Sequence, residues 1–180
     1  MSLTKTPDLI SAQARICFTS AAFLVSRQKV LLVKHKKLGI WLVPGGHLEP
    51  QELPHLAAER ECYEETGIKV KTVSAAPILN SQNSQSLPLP FTINLHWISK
   101  DNYQARLNST QPHLPHHTQI WPKGCEQHLV FCYLVKPTGS FKLIPDPAEV
   151  DAIGWFGANE IDTLDTTPNI KQELKLVLSK

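Results

Sequence analysis

Residues 46–68 read GHLEPQELPHLAAERECYEETGI, and this stretch decides how the rest of the chain is interpreted. Pro54 suits the first turn of a helix, and the alanines that follow it are strong helix formers. Gly67 is the residue type that most often ends a helix, because it adopts a left-handed backbone at little cost. The stretch therefore predicts a helix over Leu53–Thr66.

Three glutamates of this predicted helix, Glu61, Glu64 and Glu65, lie on one face. At 100° per residue they share an arc about 100° wide. Like charges at these spacings destabilise a helix by roughly 0.2–0.5 kcal/mol per pair, whereas a bound divalent cation would reverse that effect. Mg²⁺ prefers oxygen ligands and shares them with substrate phosphates, and the absence of Cys or His on the arc argues against zinc. For three glutamates alone, a solvated acidic helix face is the alternative.

The residues around the helix extend the pattern. A turn at Gly45 and Gly46 lets the backbone approach a metal or a phosphate closely. Arg60 can orient a neighbouring carboxylate, and Glu52 can pair with it. The complete pattern is G-x5-E-x7-R-E-U-x-E-E-x-G-U, where U is a bulky aliphatic residue, and its positions are Gly46, Glu52, Arg60, Glu61, Cys62, Glu64, Glu65, Gly67 and Ile68.

This segment resembles the signature sequence of the Nudix hydrolase (MutT-like) superfamily. It departs from it at Cys62, where the family usually has Leu, Val or Ile, and a buried Cys behaves as a small apolar residue. The resemblance implies an α+β fold, the Nudix fold, which is an α/β/α sandwich around a mixed β-sheet. It also implies that water attacks phosphorus in a nucleoside diphosphate linked to a group X, giving a nucleoside monophosphate and P–X.

The resemblance assigns roles to individual residues. The implied ligands of Mg²⁺, or of Mn²⁺ in its place, are the Gly45 carbonyl, Glu61, Glu64 and Glu65. The implied catalytic residues are Glu61, Arg60, Glu52 and Glu64, with Arg60 and Glu52 as an orienting pair. The general base stays open between Glu61 and an acid on a loop outside the signature, for which Glu126 and Glu149 are the candidates.

Periodicity predicts strands and a second helix elsewhere in the chain. A β-hairpin is predicted over Arg15–Ser26 and Lys29–His35, with its turn at Arg27 and Gln28. Further strands are predicted at Ile40–Val43, Ile68–Ser74, Phe91–Ser99, His128–Lys136, Phe141–Ile144 and Ala152–Phe156, and a helix at Pro168–Leu178. This order of strands, helix, strands and helix favours an α+β sandwich over a doubly wound fold.

Two stretches, Asn80–Pro90 and Lys100–Cys125, are predicted to lack regular structure, and loops this long are usually functional or mobile. Trp121 is the candidate for stacking on a base, with a core role as the alternative. His47 is the candidate for reaching a phosphate, with a surface role as the alternative. For the group His113, His116, His117, Cys125 and His128, a solvated loop or a mobile lid that touches substrate is favoured, and a zinc site is the weaker interpretation.

Composition narrows the class of protein. The chain has 180 residues and a formal net charge of +2, which predicts a single domain over residues 1–180, with an irregular insert at about 100–125. The charge excludes a concentrated basic surface for nucleic acid, and no apolar run is long enough to span a membrane. Four irregularly spaced cysteines and the polar segment Met1–Asp8 predict reduced thiols and a cytoplasmic location.

The first expectation is a Mg²⁺-dependent hydrolase that acts on a nucleoside triphosphate, with a nucleotide sugar such as ADP-ribose as the second substrate class. The alternative is a non-hydrolytic sensor that binds a nucleotide sugar on a Nudix scaffold. An enzyme resembling isopentenyl-diphosphate isomerase would need a cysteine acid beside the metal, whereas Cys17 and Cys132 are predicted to be strand core. The expected partner is a small-molecule nucleotide, and a homodimer is left open because many relatives pair.

Overall fold

A computed structural model of the chain describes residues 14–74, 79–139 and 142–179. The elements in chain order are β1 (Ile16–Ser26), β2 (Lys29–His35), β3 (Trp41–Leu42), β4 (Gly45–His47), α1 (Pro54–Thr66), β5 (Val70–Thr72), β6 (Asn80–Ser81), β7 (Ser84–Gln85), β8 (Thr92–Trp97), α2 (Lys100–Leu107), β9 (Gln127–Pro137), β10 (Val150–Gly157) and α3 (Pro168–Leu178). Within the described ranges, these helices are all too short and too polar to span a bilayer. The fold is α+β, as predicted.

The chain divides into two compact units. Within the described residues, the larger unit comprises 19–92 and 131–179, and the smaller comprises 14–18 and 93–130. The strand order through the larger unit is β10-β2-β1-β9-β5, with β3 paired to β2 and β4 paired to β1. In the smaller unit, β8 pairs with β9. The single domain over residues 1–180 stays a prediction.

The β1–β2 hairpin confirms the predicted pairing and its turn. Arg27 and Gln28 have φ values of 49° and 58°, and Val25 lies opposite Val30 in antiparallel register. Two consecutive residues with positive φ form the kind of turn whose twist matches that of the flanking strands. The hairpin thereby sets the register of the two central strands of the larger unit.

The core of the larger unit lies between α1 and the sheet. Its buried side chains are Ala22, Leu24, Leu31, Ala58, Cys62, Ile68, Val70, Tyr133 and Val135. Cys62 is fully buried, so the one departure from the Nudix signature is accommodated as apolar packing. Leu32, equally buried, follows Leu31 and therefore faces the other side of the sheet, where α3 contacts β2. Each fully buried aliphatic side chain contributes roughly 1.5–3 kcal/mol.

The ends of α1 fix where its glutamates lie. Pro54 occupies the first turn, and the Ser20 hydroxyl donates to the Pro54 carbonyl over 2.7 Å, which joins the helix start to β1. Gly67 has a φ of 74°, and its amide donates to the Tyr63 carbonyl over 2.8 Å. The predicted boundaries of this helix are thus correct to within one residue.

Several predicted boundaries are wrong. The segment Lys100–Cys125 is not irregular throughout, because residues 100–107 form α2. The Ser99 hydroxyl accepts the Asn102 amide over 3.0 Å and caps this helix, which has few apolar residues and so lacks a periodic signal. Asn80–Pro90 contains the short β6–β7 hairpin, and residues 142–144 form no strand. Phe141 and Met1–Asp8 lie outside the described residues.

The prediction of four reduced thiols is wrong for one pair. Cys17 and Cys125 form a disulfide whose Cα atoms are 5.8 Å apart, so Cys17 is not a core thiol of β1. Cys62 and Cys132 are free and buried, as expected. The spacing of the cysteines in sequence could not predict this pair, because its members are 108 positions apart and only the fold brings them together.

Candidate active site

The turn before α1 is built into the sheet. Residues Gly45–His47 form β4, with Gly46 opposite Ser20 of β1. A Cβ on Gly45 would lie 2.4 Å from the Ser20 carbonyl oxygen, and one on Gly46 would lie 2.3 Å from Glu61 Oε1. The backbone leaves no room for a side chain at Gly45, and a side chain at Gly46 would displace the Glu61 carboxylate, so the backbone of this turn lies directly against a carboxylate of α1.

Glu65 is the most deeply buried carboxylate of the site, with 4% of the residue exposed. One of its oxygens accepts the Gly45 amide over 3.0 Å. Burial is the main cause that raises the pKa of Glu65 to about 8, with the charges of Glu61, Glu149 and Glu64 adding to it and the hydrogen bond from Gly45 opposing it. The neutral form is therefore favoured unless a positive charge is present.

Glu61 and Glu64 lie between this buried position and solvent. Burial is the main cause that raises the pKa of Glu61, with Arg60 opposing it and Glu64 and Glu149 adding to it. The Glu64 side chain is 49% exposed and accepts Arg60 Nη1 over 2.8 Å. The three glutamates thus run from the interior to the surface along one face of α1, as the helical spacing predicted.

Arg60 joins α1 to the loop that precedes it. Its Nε and Nη2 donate to the two oxygens of Glu52, each over 2.9 Å, and Nη2 also donates to the His47 carbonyl over 3.0 Å. Nη1 donates to Glu61 over 2.9 Å. The bond from Arg60 lowers the pKa of Glu52, which also accepts the Glu49 amide. The structure therefore brings together the two residues predicted to be an orienting pair.

Glu149 approaches this group from the loop before β10. It is exposed, and its charge raises the pKa of both Glu61 and Glu65. In the ranges that the structure describes, the Glu149 carboxylate accepts no hydrogen bond, while its backbone carbonyl accepts the Lys36 amide over 2.9 Å. A fourth carboxylate therefore lies near enough to act on the charges of Glu61 and Glu65.

A family model described as the NUDIX domain matches residues 18–176. The chain belongs to the NUDIX family. Over 89 residues, 49% of its length, it is 35% identical to human diphosphoinositol polyphosphate phosphohydrolase 2. That segment is 47% of the human protein, so the chain spans about half the length of the curated relatives it matches.

Solved structures agree with the Nudix fold. A NUDIX family hydrolase from Clostridium perfringens matches with a TM-score of 0.62 and 25% identity, over 90% of this chain and 95% of that one. An ADP-ribose pyrophosphatase from Streptococcus suis matches with a TM-score of 0.53 and 19% identity, over 91% and 90%. At that identity the second likeness shows the fold alone. The α/β/α Nudix architecture predicted from the signature is confirmed.

Glu126 forms a buried ion pair within the smaller unit. Its side chain is fully buried and both oxygens accept hydrogen bonds from Arg106, one of them over 2.9 Å. Its Oε2 also accepts the Arg15 amide over 2.8 Å. Its burial and these bonds argue against Glu126 as the general base, a role that stays a prediction.

The remaining candidates have mixed outcomes. Trp121 is half-buried in the smaller unit, with its ring 6.2 Å from that of His128, and its role in stacking stays a prediction. The half-buried His47 uses its backbone carbonyl to bind Arg60, and a phosphate contact through its ring stays a prediction. The group considered for zinc loses one ligand, because Cys125 is bound to Cys17 and offers no thiolate, and a zinc site on the histidines stays a prediction.

Proposed function

We propose that this Nudix chain hydrolyses a diphosphate bond in a nucleoside diphosphate linked to a group X, with a divalent cation bound. The observation that carries the proposal is the set of carboxylates around the Gly45–Gly46 turn, three from α1 and one from Glu149. Four acids with one arginine form an unfavourable group unless a cation and a phosphate join them. An acidic surface face would not bury two of its glutamates.

The residues that would hold the cation are Glu61, Glu64, Glu65 and the Gly45 carbonyl. They fit Mg²⁺, with Mn²⁺ as a substitute, because every donor is an oxygen and Glu65 is buried with its pKa raised to about 8. Nudix hydrolases generally use a divalent metal. When bound, such a cation neutralises charge on phosphate oxygens and makes water a better nucleophile.

The other side chains have separate tasks. Arg60 and Glu52 keep the loop against α1, so that the Gly46 backbone and the Glu61 carboxylate stay in contact. Glu149 is proposed as the general base that accepts a proton from the attacking water. Its exposure and free carboxylate support this choice over Glu61, which is buried and already accepts a hydrogen bond from Arg60.

The first proposed substrate class is a nucleoside triphosphate, and the second is a nucleotide sugar such as ADP-ribose. A diphosphoinositol polyphosphate, which has the diphosphate bond without a nucleoside, is tested beside them because the human relative at 35% identity carries that substrate in its name. The partner is thus a small molecule. The cytoplasmic location stays a prediction, no longer supported by reduced cysteines, and so does a homodimer.

A panel of these substrates with Mg²⁺, scored for monophosphate and phosphate release, tests the proposal. We expect one class to be hydrolysed, and Glu64→Gln and Glu61→Gln to lose at least about 100-fold in kcat. Glu59→Gln is the matched control, because Glu59 lies on the same helix but accepts Lys71 and Thr72 instead. Binding of a nucleotide sugar without turnover would indicate the sensor alternative, and full turnover by Glu64→Gln would contradict the metal site.

A further inference from the structure

The loop 144–149, which carries Glu149, is attached to α1 at its first residue. The Ile144 amide donates to the Thr66 carbonyl over 2.8 Å. The Ile144 side chain also lies against Gly67, where an added Cβ would be 2.8 Å from the Ile144 Cβ. Because Thr66 follows Glu65 directly, the loop starts beside the carboxylates of the site.

The middle of the loop is a turn organised by Asp146. Its side-chain oxygen accepts the Ala148 amide over 2.8 Å, and its carbonyl accepts the Glu149 and Val150 amides over 3.2 and 2.9 Å. An aspartate that bonds the backbone two residues further on favours such a turn. These bonds fix the shape of the turn, but they do not determine where it lies relative to the sheet.

Lys36 supplies that connection, since it bonds the far end of the loop twice. Its backbone amide donates to the Glu149 carbonyl over 2.9 Å, and its Nζ donates to the Pro147 carbonyl over 2.8 Å. Lys36 directly follows β2, where His35 lies opposite Val150 in antiparallel register. The ammonium is thus the only side-chain donor that joins this loop to β2 within the described residues.

We propose that Lys36 is a positioning residue, which holds the loop 144–149 so that the Glu149 carboxylate faces Glu61 and Glu65. The inference rests on the proposed function, in which Glu149 accepts the proton of the attacking water. Lys36 does not touch substrate in this role. A displacement of about 1 Å in a reacting group can lower a rate by about 100-fold, so an exposed lysine can matter for turnover.

Three variants test whether Lys36 acts by holding the loop or only through its positive charge. Lys36→Met removes the donor and keeps the apolar stem, Lys36→Arg keeps a donor, and Lys37→Met removes the same charge from the neighbouring exposed residue. We expect Lys36→Met to lower kcat by about 5- to 30-fold with KM changed less than about twofold. Lys36→Arg should recover most of the loss, and Lys37→Met should stay within about twofold of wild type.

A double variant tests whether Lys36 acts through Glu149. In a Glu149→Gln background, Lys36→Met should lower kcat by less than about twofold further, because the group that it orients is already gone. A full additional loss in that background would overturn the proposal. Equal losses in Lys36→Met and Lys37→Met would also overturn it, because they would indicate an effect of charge alone.

Hydrogen–deuterium exchange gives a readout that does not depend on activity. In Lys36→Met, the amides of Glu149 and Val150 should exchange at least about fivefold faster, whereas in Lys37→Met they should not change. Unchanged exchange in Lys36→Met would overturn the proposal. If the wild type hydrolyses nothing on the panel, the proposed function fails, and the exchange rates still decide whether Lys36 holds the loop.

Discussion

Arg60 donates hydrogen bonds to the carboxylates around it, but its single positive charge does not neutralise all of them. Its guanidinium makes five hydrogen bonds, to Glu52, Glu61, Glu64 and the His47 carbonyl. Its planar set of donors suits several carboxylates at once, which a lysine could not match. The single positive charge leaves Glu65 and Glu149 uncompensated. The arginine therefore sets geometry, and the remaining negative charge is what a cation would bind.

Gly46 is the residue where a single methyl group should impair activity more than it impairs folding. In Gly46→Ala, the new Cβ would lie 2.3 Å from Glu61 Oε1 and displace that carboxylate. We expect kcat/KM to fall by about 100-fold, and stability by about 1–3 kcal/mol, in steady-state assays and thermal melts. Gly139→Ala is the control, because a Cβ there meets nothing within 4 Å. Equal activity in both variants would contradict the close packing at Gly46.

At the scale of elements, the last turn of α2 carries one buried ion pair. Arg106 is 7% exposed and Glu126 is fully buried, and Arg106 Nη1 also donates to the Pro112 carbonyl over 2.7 Å. Arg106→Met would leave the Glu126 charge buried without its partner. We expect a loss of about 3–5 kcal/mol in urea unfolding. Lys175→Met, which removes the exposed pair with Asp162, should leave the urea midpoint nearly unchanged. Similar losses in the two variants would argue against the buried pair.

The disulfide links the start of β1 to the residue before Glu126. The Glu126 and Gln127 amides both donate to the Arg15 carbonyl, over 3.2 and 3.0 Å, so a covalent bond and a backbone pairing coincide. A bond that closes so long a separation contributes about 2–4 kcal/mol. Dithiothreitol should lower the Tm of wild type by several degrees and leave the Tm of Cys17→Ser unchanged. A wild-type melt insensitive to reductant would contradict a stabilising disulfide.

Across the whole molecule, prediction succeeded where the signal is local in sequence. The α1 carboxylates follow from helical spacing, and the hairpin follows from two strand-forming runs with a short connection. The α2 helix was missed because its few apolar residues give no periodic signal, and its buried partner Glu126 is 20 residues away from Arg106 in sequence. The partner of Cys17 and the bond from Lys36 to Pro147 were missed for the same reason, since they join residues more than 100 positions apart.

Cation binding should stabilise the whole chain, because the acids of the site repel one another without it. At a concentration of 100 times its Kd, Mg²⁺ would raise the free energy of unfolding by about 2.7 kcal/mol. This corresponds to a Tm increase of about 5–10 °C for a chain of this size. Glu65→Gln can still accept the Gly45 amide, so it should fold and yet lose more than half of that increase. Glu59→Gln should keep it, because its bonds to Lys71 and Thr72 lie outside the site. An undiminished increase in Glu65→Gln, measured by thermal melts with and without Mg²⁺, would exclude Glu65 from the cation site.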